Sequence, residues 1–388
     1  MIRRVLVVGA GLSGATLARC LAEAGQPVDV IDQRSHVAGN CHTERDDQTG
    51  ILLHKYGPHI FHTNNQDVWA FVQRFAEFER FEHRVKTTVQ GRIYGLPINL
   101  HTLNQFFHET WGPEAARKAL AGRRHVGTEP ATSFESRALR ILGPDLYEAF
   151  FKHYTAKQWG RDPKTVPASV FTRLPVRFCY DDRYFSHEIQ AMPRNGYTAM
   201  VAAMLDHDDI SYELNTRFEN SDVAGYEHVF YTGAIDAFFG CDQGALPYRT
   251  LRFEHHRAQG DFQGCAVMNY GDADVPYTRI AEHKHFAPWE SHKHTIYSKE
   301  FASDAAPGDI PFYPLRPVSD ESLLRQYVAR AKALKSVSFL GRLGTYRYLD
   351  MDVAIAEARK VAKEFLAAKA LGRKPAVFTS SPLASPAR

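Results

Sequence analysis

Six residues near the start constrain this chain most: Gly9-Ala-Gly11-Leu-Ser-Gly14. They follow a short apolar run, Val5 to Val8, and open a small-residue segment with Leu17 and Leu21 one helical turn apart and Gly25 at its end. A second apolar run, Val28 to Ile31, comes next. Strand, glycine turn, helix and strand make a β-α-β unit. Gly9 permits a tight turn, Gly11 lets the backbone approach a pyrophosphate, and Gly14 lets helix and strand pack closely. The free N–H groups and dipole of the helix start favour phosphate charge. Asp32 ends the second strand, 32 − 14 = 18 residues after Gly14, where its carboxylate can accept from a ribose hydroxyl. A glycine turn without a ligand needs the three glycines, but not both strands, the helix and the acid around them.

Composition narrows the function classes. The chain has 388 residues, more than one typical domain, and its 44% hydrophobic content supports a real core. Lys and Arg exceed Asp and Glu by 47 − 44 = 3, so charge makes no case for a nucleic-acid binder. The 25 Phe, 18 Tyr and 4 Trp supply flat faces that suit sugars and bases as well as cores. Cys20, Cys41, Cys179, Cys241 and Cys265 are scattered and form no C-x-x-C pair. Free thiols in a reducing compartment, and hence a cytoplasmic location, are expected. No secretory leader and no membrane span are expected either.

The patterning along the chain predicts further elements. Val68, Phe71, Val72 and Phe75 have helical spacing, and Thr88 to Tyr94 reads as a hairpin turning near Gln90-Gly91. Helical signals run from about Leu100 to Tyr154, with Leu146, Phe150 and Tyr154 on one face. Short aromatic-rich strands follow from about Ala245 to Tyr313. Leu323, Leu324, Tyr327, Val328 and Ala331 give a helix, and Ala354, Ala358, Val361 and Phe365 align on a last one. After Asp32, the continuation Arg34-Ser-His-Val-Ala-Gly39-Asn40 resembles the extension of FAD enzymes, where a basic residue and glycines line the cofactor's phosphates. The expected fold is therefore α/β: a Rossmann-like FAD-binding domain with an inserted helical domain and an inserted antiparallel β-sheet domain. Residues 1–75, 188–240 and 340–370 form the first. Residues 100–187 form the helical substrate domain, with a mobile lid near 170–187. Residues 76–99 and 241–339 form the sheet domain. The tail, 371–388, is rich in Pro, Ser and Ala and is expected to be disordered.

Several segments taken together resemble the bacterial UDP-galactopyranose mutase family. They are Gly57-Pro-His59-Ile-Phe-His62-Thr63, Leu96-Pro-Ile-Asn99, Tyr154-Thr-Ala-Lys-Gln-Trp159, Arg173-Leu-Pro-Val-Arg177, Tyr231-Thr-Gly233, Arg279 and Gly341 to Asp352. The likeness covers nearly the whole chain up to about Phe365. It departs at Ala38, where glycine is usual, at Asp32, where glutamate is common, and at His83, near a frequent asparagine.

The resemblance implies a homo-oligomer, dimer or larger, that interconverts UDP-galactopyranose and UDP-galactofuranose. Reduced FAD would attack the anomeric carbon through N5 and displace UDP; the sugar would open, reclose as the furanose, and UDP would return. No net redox change results. The implied cofactor residues are Gly9, Gly11, Leu12, Ser13 and Gly14, then Asp32, Gln33, Arg34, Gly39 and Asn40. His59 and Ile60 would lie beside the flavin, joined by Gly233, Gly341, Arg342, Tyr348, Asp350 and Met351. Arg173, Arg279 and His62 carry the implied catalytic roles, the two arginines on the diphosphate. A guanidinium suits that task because it stays charged and presents a planar fork of donors. Tyr184, Tyr313 and Tyr348 would bond the diphosphate region, and Phe150 and Tyr154 would flank the uracil beside Thr155. Trp159 would approach the sugar and uridine, with His83, Phe185 and Asn269 completing the substrate set. Taken alone, each arginine reads as a surface ion pair and each aromatic as core.

Arg173 to His187 contains Pro175 and Asp181-Asp182 with few apolar repeats, and reads as a lid that carries Arg173 onto the diphosphate. His59-x-x-His62 has no Cys or carboxylate nearby to complete a ligand set, and alternation on a strand explains His283-x-His285 and His292-x-His294, so no metal is expected. No G-x-S-x-G or paired-carboxylate signal points to a hydrolase. Two alternatives remain open at this level. One is a flavin-dependent oxidoreductase of the amine-oxidase type, which shares the dinucleotide domain but does not need the Arg173–Arg279 pair. The other is a non-enzymatic FAD or UDP-sugar sensor.

Overall fold

Val5–Val8 forms the centre of a five-stranded parallel sheet, in a computed structural model that describes residues 3–124, 130–173, 176–316 and 321–384, the side chains of Ser169, Thr172 and Arg173 excepted. The strand order is Ile210–Leu214, Val28–Asp32, Val5–Val8, Val229–Tyr231 and Val337–Phe339. Such a sheet must be covered on both faces. Helices Leu12–Ala22, Gly196–Leu205 and Met351–Ala370 pack against one another beside it, burying Leu17, Leu21, Val201, Ile355 and Phe365. On the other side helix Ser322–Lys332 places Leu324, Tyr327 and Val328 in a core with Tyr231 and Phe339.

That second layer corrects two sequence expectations. The sheet domain does not run to residue 339: helix Ser322–Lys332 and strand Val337–Phe339 complete the parallel sheet instead. The tail is not disordered through residue 384. Phe339 N–H donates to Val377 O at 2.8 Å, Ser338 Oγ to Ala376 O at 2.6 Å, and Phe378 stacks on Phe339 at 5.5 Å. The three apolar residues Val377, Phe378 and Leu383 cover the edge strand, which composition alone does not reveal. Residues 385–388 lie outside the described residues.

A seven-stranded sheet is built on two long strands, Tyr248–Gln259 and His294–Asp304, paired over eleven positions. Arg279–Glu282, Val267–Tyr270, Val85–Val89 and Arg92–Leu96 extend it on one side, and Tyr313–Pro314 closes the other. It is not wholly antiparallel, since Val267–Tyr270 runs parallel to Val85–Val89. The long connection between those strands allows a parallel return. The hairpin turns at Gln90 and Gly91, both at positive φ (50° and 74°), as a two-residue type I′ turn demands. Phe78–Arg80, expected in this sheet, instead joins Phe61–Thr63 and Ile189–Pro193 in a three-stranded sheet.

The helical region comprises Leu100–Phe107, Pro113–Arg123, Phe134–Leu142, Pro144–Tyr147 and His153–Trp159. A wider π-helical turn, Glu148–Lys152, separates the last two. Such turns re-aim side chains and recur at functional sites. Phe150 packs edge-on against Tyr94 and is tilted on Phe106 in the core, whereas Tyr154 reaches across to Arg279.

Candidate active site

The dinucleotide cradle is made largely of backbone. Gly9 has φ 109°, and an added Cβ there would lie 2.0 Å from Thr232 Oγ1. At Gly14 a Cβ would lie 1.8 Å from the Gly9 carbonyl oxygen. At Gly11 it would meet only Gly39, with Cα at 3.8 Å, so that flank is open to a ligand. The turn Gly341–Gly344 rests on the helix start, and a Cβ at Gly341 would come 3.0 Å from Ser13 Oγ. Asp32 braces the turn: its Oδ2 accepts from Ala10 N–H at 2.8 Å and its Oδ1 from Arg34 N–H at 2.9 Å. A carboxylate has lone pairs left for a ribose. Arg34 Nη2 donates to Asn40 Oδ1 at 2.8 Å, while its buried Nη1 has no hydrogen-bond partner among the described residues. An orphaned guanidinium N–H beside an open glycine flank fits a dinucleotide phosphate. His59 lies in the same region. Burial, reinforced by the Arg342 charge, pushes its pKa down to about 4, so the ring is neutral.

Side chains build the adjoining cleft. Arg279 and Glu300 are register partners on adjacent strands, with Nε and Oε1 3.4 Å apart. Thr278 Oγ1 also donates to the buried Glu300 carboxylate, at 3.1 Å. Arg279 Nη2 donates to the Tyr154 hydroxyl at 2.5 Å. Burial works most strongly against the Arg279 charge, but Glu300 together with Tyr154, Tyr313 and Tyr184 more than offsets it and holds the guanidinium well above its ordinary pKa. Tyr313 and Tyr348 stack at 5.5 Å, and the Arg342 guanidinium lies 4.6 Å from the Tyr348 ring centre. Trp159 approaches Tyr313 at 6.5 Å. Arg342, on the turn beside the cradle, therefore lies against Tyr348 of the cleft.

A second wall carries His62, His83 and Phe185. The His62 ring stacks on Phe185 at 3.7 Å, and its Nδ1 is 3.1 Å from His187 Nδ1. Burial, then the charges of Arg279 and His62, push His83 down to about 3. Asn269 is the register partner of Arg279, and its buried Oδ1 has no hydrogen-bond partner among the described residues.

A family profile described as UDP-galactopyranose mutase matches residues 149–348, and one for a NAD(P)-binding Rossmann-like domain matches residues 7–75. A Klebsiella pneumoniae protein named "Probable UDP-galactopyranose mutase" is 51% identical, over 97% of this chain and 98% of its own. The chain belongs to the UDP-galactopyranose mutase family. The family makes it an isomerase. An Escherichia coli dTDP-fucopyranose mutase is 48% identical over 94% of this chain and 99% of its own. Among solved structures, a reduced UDP-galactopyranose mutase matches with TM-score 0.72 and 15% identity, over 94% of this chain and 96% of that one. A putrescine oxidase matches at 0.57 with 13% identity, over 94% of this chain and 99% of that one, so the amine-oxidase alternative has only the fold in its favour. A Rossmann-like domain and such flavoenzyme neighbours indicate a flavin-type cofactor.

Set against the family's implied residues, the structure brings Arg279, Tyr154, Trp159, Tyr313, Tyr348 and Arg342 together. It puts Phe150 and Thr155 in buried positions, at 3% exposure each. Arg173 ends a short 3₁₀ turn, Ala168–Arg173, but its side chain lies outside the described residues. The segment after it is docked. Arg177 N–H donates to Ile98 O at 2.8 Å, and Tyr184 N–H to His83 O at 2.7 Å. Sequence reasoning missed Glu300, which strand register alone places beside Arg279. It also missed Arg249, which caps the helix carrying Trp159: Nε donates to Gln158 O at 3.0 Å and Nη2 to Lys157 O at 3.1 Å. Asp261, Glu282 and His285 approach one another, but Glu282 already accepts from three backbone N–H groups and Thr295, and Lys284 pairs with Asp261. The two carboxylates are thus engaged, while His285 Nε2, 3.4 Å from each, makes no hydrogen bond among the described residues. No described helix is long and apolar enough to cross a membrane.

Proposed function

We propose that this chain interconverts UDP-galactopyranose and UDP-galactofuranose on reduced FAD. One observation carries the reading: the arginine–tyrosine cleft of Arg279, Tyr154 and Tyr313 continues through Tyr348 and Arg342 into the dinucleotide cradle. Substrate and cofactor would therefore meet. Bound and reduced, the flavin would supply the nucleophile that displaces UDP from the anomeric carbon. Arg279 would hold the departing diphosphate, since Glu300 lies 3.4 Å from its Nε and, with the neighbouring tyrosines, sustains its charge. Tyr154, Tyr313 and Tyr348 would add hydroxyl donors, and Trp159 a flat face for sugar or base. Neutral His83 and Asn269 would orient sugar hydroxyls. Arg173 is proposed to complete the diphosphate clamp: Arg173→Ala should stay yellow and lose most turnover, with Arg173→Lys recovering only part.

Purified protein, reduced with dithionite, should convert UDP-galactofuranose to UDP-galactopyranose, read by chromatography. A preference for dTDP-fucopyranose of roughly tenfold or more in kcat/KM, a 1.4 kcal/mol difference, would overturn the sugar assignment. Hydrogen peroxide release from amines without mutase turnover would overturn the isomerase reading.

A further inference from the structure

Lys157 belongs to helix His153–Trp159, three residues after Tyr154 and two before Trp159. Its ammonium points at main-chain oxygens and forms no ion pair with a carboxylate among the described residues. It donates to the carbonyls of Tyr270 at 2.6 Å, Asp272 at 2.8 Å, Val275 at 2.9 Å and Tyr277 at 3.3 Å. An ammonium has three protons, so the four acceptors share them. Tyr270 ends strand Val267–Tyr270, and the other three lie on its connection to strand Arg279–Glu282. That connection begins next to Asn269 and ends next to Arg279, which face each other as register partners. The helix supplies Tyr154 and Trp159 to the same cleft. One side chain thus fastens the two halves of the cleft to each other. Carbonyl dipoles aimed at one point repel unless a cation occupies it. Burial draws the Lys157 pKa down to about 8, against Asp272 and Asp274, which leaves the ammonium form dominant at neutral pH.

We propose that Lys157 is a positioning residue of the sugar-nucleotide cleft: its ammonium, ringed by carbonyls of the 270–277 loop, sets the separation of Tyr154 from Arg279. The role rests on the UDP-sugar reading of that cleft. The clamp itself does not, so the two can fail separately.

The test uses full-length holoenzyme and Lys157→Ala, which removes the ammonium and leaves a slot the shape of its stem. UDP affinity by titration should fall by about tenfold or more, the loss of charge-assisted hydrogen bonds, while flavin content stays that of the parent. Added n-propylammonium should restore UDP affinity, because it replaces the missing stem and charge; tetramethylammonium, which has no N–H, should not. Hydrogen exchange across residues 271–276 should quicken in the variant and slow again with n-propylammonium. Parent-like UDP affinity in Lys157→Ala, or loss that n-propylammonium leaves untouched, overturns the proposal. If Lys157→Ala does not fold, Lys157→Arg carries the test: its bulkier fork should weaken UDP with flavin retained, and parent-like affinity overturns the clamp. If the parent itself does not bind UDP, the cleft reading has failed, and the exchange rates alone decide whether the clamp exists.

Discussion

The dinucleotide cradle and the sugar-nucleotide cleft share a border at Arg342 and Tyr348, yet they are built in opposite ways. The cradle uses neighbouring backbone: Gly9, Gly11 and Gly14 shape it within six residues, and Asp32 braces it through two main-chain N–H groups. The cleft uses distant side chains. Tyr154 and Arg279 share a hydrogen bond across 125 positions, and Glu300 reaches Arg279 only through strand register. A backbone device requires glycine at fixed spacing and so leaves a local signature. A side-chain device requires only that the fold deliver the right atoms.

The largest expected effect separates the two regions. Gly11→Val should fold, because a Cβ there meets only Gly39, and should purify colourless because the side chain blocks the phosphates. Parent-like flavin content in folded Gly11→Val would break the cradle assignment. Gly14→Ala should instead damage the fold itself, seen as a lowered Tm, since its Cβ would lie 1.8 Å from Gly9 O.

In the cleft the order of losses should reverse. Arg279→Ala should weaken UDP by roughly tenfold to a hundredfold, in keeping with charged hydrogen bonds of about 1.5–3 kcal/mol, and should keep its flavin. It should also lose stability, because Glu300 stays buried at 5% exposure without its cation. A variant that loses flavin but binds UDP like the parent would show that the two regions have been assigned the wrong way round.

A third effect concerns two buried histidines, His54 and His283. His54 and His283 stack at 5.9 Å, and burial, then neighbouring histidines, hold both neutral, His54 at about 3. Their folded pKa values lie below the unfolded value of about 6.5, so the unfolded chain takes up protons first as pH falls. Stability should be full above about pH 6.5 and erode steadily below it. Tm measured against pH checks this, and His54→Phe should flatten the slope. A Tm that stays level from about pH 7 to pH 5 would remove the histidines from the account.

This contrast explains what could be read in advance. The β-α-β unit, the turn at Gln90-Gly91 and the last helix were legible because each leaves a periodic or glycine signature. The domain boundary near 340 and the packed tail were not, because an edge strand of three residues, Val337–Phe339, and its cover have no pattern of their own. In the cleft, Arg279 and the tyrosines were named through likeness to a family, and nothing in their spacing required it. Glu300, Arg249 and Lys157 escaped notice because their partners are fixed by register and by main-chain carbonyls.

The smallest effect returns to the cradle. Ala38 is buried with φ 73°, a left-handed conformation that favours glycine. Ala38→Gly should relieve strain and, after the entropy glycine adds to the unfolded chain, stabilise by about 0.5 kcal/mol. Denaturant melts of both forms would show it, and a destabilised Ala38→Gly would mean that the methyl group packs more than it strains.

The central claim is that cradle and cleft form one continuous site. Titrating UDP-galactopyranose into the purified flavoprotein while recording the flavin absorption spectrum tests it most directly. A saturable change in the flavin bands is expected, with the same midpoint as sugar-nucleotide binding measured by calorimetry. Binding by calorimetry with an unchanged flavin spectrum would contradict it.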